Sequence, residues 1–512
     1  MTSFLLLSQL QEMLIHPLIS LICVPLCILV AYYLFFTIST SKKLPPSPSQ
    51  LPIIGNLHQL GTHPHRSLRS LAQRYGPIML LHLGRKPAVV VSSPDLAREI
   101  LKTHDTVFAN RPDSRIAKRL LYNYRDLSWS PYDEYWRQMR SICVMQLLSA
   151  KRVKSFRMYR EEETAELIKK IAQSCTCSSP IDLSELLVSL TRNLICRAAF
   201  GRKYGEGEGE GESGRTFKKL LEELGEMCAF SVGDFIPWLG WLDQVSGLDA
   251  KVERVFNEFD HFFSAVIDDH MARQDDEDHM DLLDILLQIQ KDGSNGVCMV
   301  KEHIKAILLD MFAGATDTTY TVIEWAMTEI LRHPEIMKKV QEEIRGIAGS
   351  KLQINEDDLG KMLYLKALIK ETMRLHPPVP LLLPRKPTKD VEVGGYNILA
   401  ETRVMVNAWA IGRDPATWPE AEQFKPERFM HTSLDLKGHD FELIPFGAGR
   451  RGCPGATFAL AVVELVLASL LHNFNWTLPG GARGEDLDDS ESTGMSVHKK
   501  CPLVLLASPH SF

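Results

Sequence analysis

The sequence has few cysteines for its length and no long run of basic residues. Its ten cysteines are scattered over 512 residues, without the density of a secreted disulfide framework, so reduced cytosolic thiols are the simpler interpretation. With 58 Lys and Arg against 64 Asp and Glu, the formal charge is −6, and no basic stripe indicates a nucleic-acid-binding face. A dinucleotide or flavin fingerprint is also missing, because the alternating Gly and Glu run at 205–214 is acidic and follows no predicted strand. We therefore expect neither nucleic-acid binding nor a nucleotide-binding domain.

Charge is also missing near the N-terminus. No Asp, Glu, Lys or Arg occurs from Leu14 to Ser41, which is long enough to span a bilayer, since a span needs about 20 residues. The basic start and small-residue cleavage site of a signal peptide are not clear. Because Lys42 and Lys43 follow the apolar stretch, the positive-inside rule predicts a single-pass anchor with the rest of the chain in the cytosol. A buried core helix is the alternative.

The remaining sequence has the pattern of one large domain. We predict an anchor over residues 1–41, a stiff Pro-rich hinge over residues 42–56 and one catalytic domain over residues 57–512. Apolar spacing predicts a hairpin at Ile78–Val91 and a mainly α-helical body with small β-sheets. The predicted helices are Asp95–Lys102, Tyr132–Gln146, Ala150–Ser174, Leu183–Phe200, Thr216–Phe230, Asp249–Arg273, Lys301–Leu331, Pro334–Ile347, Lys361–Leu375 and Ala456–Leu471.

The most specific pattern is the ten-residue segment Phe446–Gly455. Its four glycines permit a tight, left-handed backbone path whose amides can point at the sulfur of Cys453 and favour the thiolate. Pro454 suits the first turn of a following helix, whose N-terminus also stabilises negative charge. A lone cysteine cannot build a structural zinc site, whereas haem needs only one protein ligand. The alternative is a free cysteine in a Gly-rich turn.

This segment resembles the haem-binding signature of the cytochromes P450, Phe-x-x-Gly-x-Arg-x-Cys-x-Gly, at every fixed position. The resemblance implies the cytochrome P450 fold, with haem b between the long central helix and the helix after the cysteine. It implies that Cys453 is the axial thiolate ligand to the iron, which favours O–O cleavage. It also implies that Phe446 packs beside the sulfur, that Gly447 belongs to the haem-binding loop and that Arg451 pairs with a haem propionate.

A second resemblance concerns Glu371 and Arg374. Glu and Arg at positions i and i+3 share a helix face and can form a bidentate ion pair, which alone is a common surface feature. The family joins such a pair to the arginine of a Pro-Glu-Arg-Phe segment, here Pro426–Phe429. The resemblance therefore implies a buried structural triad of Glu371, Arg374 and Arg428 that holds the haem-loop region.

A third resemblance lies in the predicted helix Lys301–Leu331, at the segment Ala313–Thr319. A mid-helix Thr can turn its hydroxyl to the i−4 carbonyl and open a place for a ligand or water, although a helix face bordering solvent is the alternative. By resemblance, Thr318 hydrogen-bonds the oxygen activated at the iron, and Asp317 supplies protons through water. The family usually has glycine where this chain has Ala315, which leaves the motif intact.

A fourth resemblance concerns the haem propionates. Trp136 and Arg140 are four residues apart on one predicted helix face, an arrangement suited to a shared anion or, alternatively, to a cation–π pair. By resemblance, both contact haem propionates, as does Arg385 after Leu383 and Pro384. By the same analogy, the substrate pocket would be lined from residues 111–127, 227–241, 312–316, 379–383 and 495–496.

The resemblance spans the chain after the anchor, and its motifs look most like those of plant microsomal A-type members. It implies a monooxygenase of the endoplasmic reticulum membrane that inserts one atom of O2 into a small lipophilic substrate, such as a terpenoid, phenylpropanoid or alkaloid. Since no flavin or dinucleotide domain is predicted, NADPH electrons are expected from a separate, membrane-bound NADPH-cytochrome P450 reductase. The alternatives are a non-oxygenating haem-thiolate enzyme, which would catalyse a dehydration or rearrangement, and a non-catalytic haem-binding membrane protein.

Overall fold

The computed structural model describes residues 43–177, 179–204, 220, 223–224, 231–272, 280–293 and 299–510. The predicted anchor over residues 1–41 lies outside the described residues, as does the acidic connection at 205–214. Most of the predicted helix Thr216–Phe230 also lies outside them.

The described part of the chain is mainly α-helical, which confirms the predicted fold class. Its helices are α1 Pro64–Tyr75, α2 Pro94–Arg98, α3 Arg115–Leu120, α4 Glu134–Ile142, α5 Ala150–Ser155, α6 Arg157–Thr176, α7 Leu183–Phe200, α8 Val232–Phe235, α9 Trp241–Val245, α10 Leu248–Ala272, α11 Leu282–Asp292, α12 Lys301–Arg332, α13 Pro334–Ala348, α14 Glu356–Leu359, α15 Leu363–Leu375, α16 Ala408–Ile411 and α17 Ala456–Asn473.

The strands form small sheets beside the helices. They are β1 Ile78–Leu83, β2 Lys86–Val91, β3 Ile181–Asp182, β4 Val391–Val393, β5 Tyr396–Ile398, β6 Arg403–Val406, β7 Phe474–Thr477 and β8 Val504–Pro509. The predicted hairpin is confirmed: β1 and β2 pair antiparallel, with Ile78 opposite Val91 and Leu83 opposite Lys86. β6 extends this sheet parallel to β2, and β7 and β3 pair antiparallel with β8.

The end of the Pro-rich segment packs onto the first sheet. The Leu80 amide of β1 donates to the carbonyl of Pro46 over 2.8 Å, and the Asn56 amide donates to the carbonyl of His82. At Gly55, where φ is +59°, a Cβ would lie 2.1 Å from the His82 carbonyl oxygen, so only glycine fits this approach. The segment therefore leaves the body of the protein along an edge of the sheet.

Three predicted helices are interrupted, and one of them, Asp95–Lys102, becomes π-helical from Glu99. The helix expected over Ala150–Ser174 is divided into α5 and α6 at Phe156, whose ψ of 9° falls outside the helical range. The helix expected over Tyr132–Gln146 begins one residue after Asp133, whose carboxylate accepts the Trp136 amide over 2.8 Å, and its last turn, from Cys143, is π-helical. These details depend on tertiary packing, which the apolar spacing alone does not contain.

The long helix α12 forms the centre of the helical body. It packs against α7, α15 and α17, and most of its side chains are buried. It ends at Arg332, because Pro334 disfavours a helical conformation for the residue before it. Among the described residues, α17 alone is long and apolar enough to cross a membrane, but most of it is buried inside the protein.

Candidate functional site

The loop before α17 presents Cys453 to an internal space. Gly449 has a φ of +69°, and a Cβ on it would lie 1.9 Å from the carbonyl oxygen of Leu101. The Cys453 amide donates to the carbonyl of Phe446 over 2.9 Å, which closes the loop. The Cys453 side chain is accessible, although protein atoms surround it as densely as they surround a core residue. The thiol therefore faces a cavity rather than bulk solvent.

Opposing influences act on the Cys453 thiol. Burial raises its pKa, whereas hydrogen bonds from the amides of Gly455 and Ala456 and the positive charge of Arg140 lower it. The amides that lower the pKa of the thiol are thus those that follow the cysteine at the start of α17. The amides at the helix N-terminus stabilise the thiolate, as predicted. Burial has the larger effect, so the pKa of the Cys453 thiol is raised overall.

The central helix also has an accessible face in the middle of its buried length. Ala313 and Gly314 are accessible, whereas Phe312 and Thr316 on either side are buried. Phe312 stacks on Phe200 with ring centroids 5.1 Å apart, so it belongs to the core and does not line the expected pocket. The accessible face consists of small residues, which leave space beside the helix.

The predicted back-bond in this helix is present. The Thr318 hydroxyl donates to the carbonyl of Gly314, four residues earlier, over 2.6 Å. Burial raises the pKa of the neighbouring Asp317, and His498 partly opposes that rise. Thr318 lies on α12 and Cys453 lies just before α17, and these two helices pack against each other. The structure therefore combines an acid, a hydroxyl and a thiol on adjoining elements.

Four arginines surround the approach to the Cys453 loop, and they are Arg111, Arg140, Arg385 and Arg451. Arg140 donates to the carbonyl of Gly452 over 2.7 Å, and Arg385 donates to the carbonyl of Ala448 over 3.4 Å. None of the four forms a salt bridge with a carboxylate among the described residues. Each instead donates to backbone carbonyls.

The arginine cluster is electrostatically unfavourable without an anion. Burial and the charge of Arg451 lower the pKa of Arg385 to about 9, and burial and the charge of Arg111 lower the pKa of Arg451 to about 8. Burial lowers the pKa of Arg111 well below its usual value, with the charge of Arg385 contributing. Buried charges need a counter-charge, so the cluster fits a group with carboxylates, such as the two propionates of haem. Arg111 is predicted only as one end of a pocket-lining segment and not as a member of this cluster, because no local motif marks it.

Arg451 and Trp136 already donate hydrogen bonds to backbone carbonyls of the protein. Arg451 donates to the carbonyls of Ala109 and Leu127 over 2.8 and 3.1 Å and also to the carbonyl of Ser130. Trp136 donates from Nε1 to the Leu127 carbonyl over 2.9 Å, and the Arg451 guanidinium lies 4.3 Å from its ring centroid. Their predicted contacts with propionates stay predictions, while Arg140 and Arg385 have more donors left.

The structure brings Glu371, Arg374 and Arg428 together. Arg374 donates to both carboxylate oxygens of Glu371, over 2.7 and 2.8 Å, and Arg428 donates to Oε1 over 3.0 Å. Glu371 is fully buried, and its Oε1 also accepts the Lys425 amide over 2.7 Å. Arg374 further donates to the carbonyls of residues 412, 421 and 423. The triad thus joins α15 to the segment that precedes the Cys453 loop.

Two surface grooves lie away from these residues. One, of about 850 Å³, is lined mainly by α3, the residues after it and the start of α12. The other, of about 900 Å³, lies beside α1, α13 and the 422–427 segment. Neither is lined by Cys453, Asp317, Thr318 or the four arginines. We therefore place the candidate site at the internal space beside Cys453, because the reactive and charged residues lie there and not in the two grooves.

Comparisons with known proteins identify the family. The family model described as "Cytochrome P450" matches residues 45–505. A protein of Prunus mume, cytochrome P450 736A117, is 55% identical over 497 residues, which cover 96% of this chain and 95% of that protein. Cytochrome P450 71A1 of Persea americana is 52% identical, with 89% and 91% covered, and norfluorocurarine oxidase of Strychnos is 49% identical, with 97% and 99% covered.

A solved zebrafish cytochrome P450, in a structure with abiraterone, has the same fold. Its TM-score is 0.75 at 25% identity, over 88% of this chain and 100% of that chain. A haem-thiolate protein is the class that the fold and the cysteine loop define. The chain belongs to the cytochrome P450 family, and its plant relatives share about half of its residues over most of its length. Family membership implies haem iron as the cofactor, together with O2, a small substrate and a redox partner.

Proposed function

We propose that the chain is a monooxygenase that inserts one atom of O2 into a small lipophilic plant specialised metabolite, such as a terpenoid, phenylpropanoid or alkaloid. The observation that carries this proposal is the accessible Cys453 thiol in an otherwise enclosed space, next to buried arginines without carboxylate partners. One relative is named for oxidising norfluorocurarine, which supports an oxidase of small molecules. Haem, when bound, supplies the activation of O2.

The proposal gives each residue of the site a role. Cys453 would supply the thiolate ligand to the haem iron, and Phe446 and Gly447 would shape the loop around it. Arg140 and Arg385, which have donors that make no hydrogen bond among the described residues, would neutralise the haem propionates, and Arg451 and Trp136 would complete that side of the site. The triad of Glu371, Arg374 and Arg428 fixes the segment that precedes the Cys453 loop.

Asp317 and Thr318 act on protons on the central helix. The raised pKa of Asp317 keeps a proton on its carboxyl group to a higher pH than usual, so this group can serve as a proton donor. The Thr318 hydroxyl donates to the carbonyl of Gly314, which leaves its oxygen lone pairs available to accept a hydrogen bond. Removal of this hydroxyl should disturb proton delivery without removing a ligand of the cofactor.

We further propose that an N-terminal segment anchors the protein in the endoplasmic reticulum membrane, with the catalytic domain in the cytosol, and that NADPH-cytochrome P450 reductase supplies the electrons. The chain carries no dinucleotide fingerprint of its own, which supports a separate electron donor. Carbonate extraction and protease protection of isolated microsomes test this placement. Release by carbonate, or protection of the whole chain from added protease, would contradict it.

The catalytic proposal is tested with isotopically labelled O2. Membranes that contain the protein, together with reductase and NADPH, are incubated with a panel of lipophilic compounds, and products are analysed by mass spectrometry. We expect one labelled oxygen atom per product, no product without O2 or NADPH, and no product with Cys453→Ser. Turnover that continues without O2 would instead favour a dehydration or rearrangement.

A further inference from the structure

Asp310 connects the central helix to a distant loop. It lies four residues before Gly314 and eight before Thr318, so it belongs to the same face of α12. Its Oδ2 atom accepts the Leu127 amide over 2.6 Å and the Ser128 amide over 3.0 Å. Both amides belong to the connection between α3 and α4. A single carboxylate oxygen thus fastens two consecutive peptides of this connection to the helix.

Residue Leu127 connects Asp310 to the cysteine loop. Its amide binds Asp310, while its carbonyl accepts hydrogen bonds from Trp136 Nε1 over 2.9 Å and from Arg451 Nη1 over 3.1 Å. Arg451 is two residues before Cys453. One residue, through the peptide groups on either side of it, therefore links the accessible face of the central helix to the residues beside the cysteine.

A second attachment supports the same connection. Arg111 donates from Nε to the Ser128 carbonyl over 2.8 Å and from Nη1 to the carbonyls of Leu383 and Pro384. Arg385, the proposed propionate partner, follows directly. The Leu127 and Ser128 peptides are thus fixed from the amide side by Asp310 and from the carbonyl side by cationic and aromatic side chains.

Burial of the Asp310 carboxyl group beside another acidic group costs free energy. Asp126, which is fully buried, lies close by, accepts the Trp129 amide and the Ser128 hydroxyl through Oδ2, and has no partner for Oδ1. Two acidic groups so close together repel each other unless a proton or neighbouring cations intervene. An apolar side chain would fill the same space without placing a second acidic group beside Asp126. We therefore attribute the presence of Asp310 to the hydrogen bonds that its oxygen accepts.

We propose that Asp310 is a positioning residue that fastens the Leu127–Ser128 peptides to the central helix and, through the Leu127 carbonyl, holds Trp136 and Arg451 in place for the cofactor. The attachment itself exists in the chain whatever reaction the protein catalyses. Its effect on the cofactor rests on the proposed function.

The test is residue-resolved hydrogen exchange on the haem-loaded protein, with the variants Asp310→Ala and Asp310→Asn and the control Glu302→Ala. Glu302 is an exposed acid on the same helix and is not part of the site. We expect Asp310→Ala to speed exchange at the Leu127 and Ser128 amides at least about tenfold, because both lose their acceptor. Asp310→Asn keeps an acceptor oxygen, so its exchange rates at these two amides should stay within about threefold of the wild-type rates. Glu302→Ala should have the wild-type rates.

A second readout follows the cofactor. Transfer of haem to apomyoglobin should be at least about tenfold faster from Asp310→Ala than from the wild type, and Asp310→Asn should largely restore the slow rate. Unchanged amide exchange in Asp310→Ala overturns the proposal, as does loss of both amide protections in a folded Asp310→Asn variant. If Asp310→Ala does not fold, Asp310→Asn decides.

The two proposals fail in different ways. A wild-type protein without a thiolate-type spectrum would refute the proposed haem chemistry, but exchange at Leu127 and Ser128 would still report on the attachment to Asp310. Normal haem chemistry with rapid exchange at both amides in the wild type would refute the role of Asp310 alone.

Discussion

Replacement of Glu371 by Gln should destabilise the protein severely. The carboxylate is fully buried and accepts four hydrogen bonds, two from Arg374, one from Arg428 and one from the Lys425 amide. Glutamine has a similar shape, but it offers only one acceptor oxygen and points an NH2 group at donors. The variant therefore leaves the buried Arg374 charge without its counter-charge.

The size of the effect follows from this burial. Removal of one partner of a buried ion pair costs about 3–5 kcal/mol, because the remaining charge stays desolvated and unpaired. Whole domains are stable by only about 5–15 kcal/mol, so the variant should lose a large share of its stability. Arg428→Gln should cost less, because Arg428 lies at the edge of the triad and leaves the bidentate pair of Glu371 and Arg374 intact.

The assay is urea unfolding of the detergent-extracted holoprotein, followed by loss of the thiolate-type Soret band. Glu420→Gln is a matched control, because the exposed Glu420 pairs with Lys425 on the surface of the same segment and should leave the unfolding midpoint unchanged. The double variant Glu371→Gln, Arg374→Gln should be less destabilised than the sum of its single changes, because it removes both charges. A Glu371→Gln midpoint equal to that of the control, or strictly additive effects, would refute this reasoning.

Three further changes should each act on a different part of the site. Thr318→Ala should keep haem but lower the product formed per NADPH consumed, which parallel assays of both quantities measure. Gly449→Ala should abolish haem incorporation in expressed protein, since a Cβ would lie 1.9 Å from the Leu101 carbonyl oxygen, whereas Gly480→Ala, with a similar φ of +67° but no atom within 4 Å, should retain it. Burial and a neighbouring carboxylate raise the pKa of Asp310 to about 7, so between about pH 4 and pH 7 the folded chain keeps a proton that the unfolded chain releases, and stability falls as the pH rises. Asp310→Asn should flatten that slope in urea unfolding between about pH 5 and pH 7, and an unchanged slope would contradict the assignment.

Much of the site could be predicted because its signals are local. The glycines around Cys453 mark a backbone path that other residues cannot follow, and Gly449 is needed for its close approach to Leu101. The spacing of Thr318 and Gly314 similarly predicts a back-bond, because four residues make one helical turn. Such features need only a few neighbouring residues to be recognised.

The contacts between distant parts of the chain could not be predicted in this way. Asp310 and Leu127 are 183 residues apart, and a lone acid in an apolar helix does not indicate which amide it will accept. Arg111 likewise has no motif, although its contact with Leu383 places it in the arginine cluster. Such contacts arise only when the elements pack.

Secondary structure shows the same division. The hairpin Ile78–Val91 is predicted from its alternation, whereas helix α1, Pro64–Tyr75, is not among the predicted helices, although a proline at its first position is a common helix start. The break at Phe156 was missed because the apolar spacing continues across it. Local periodicity therefore predicts the presence of an element better than its limits.

The most direct test of the proposed site is the carbon-monoxide difference spectrum of the reduced protein in isolated membranes, with Cys453→Ser measured beside the wild type. We predict a strongly red-shifted, thiolate-type Soret band for the wild type and its loss in the variant. An imidazole-type band in haem-loaded wild-type protein, or the same thiolate-type band in Cys453→Ser, would contradict the assignment of Cys453 as the ligand.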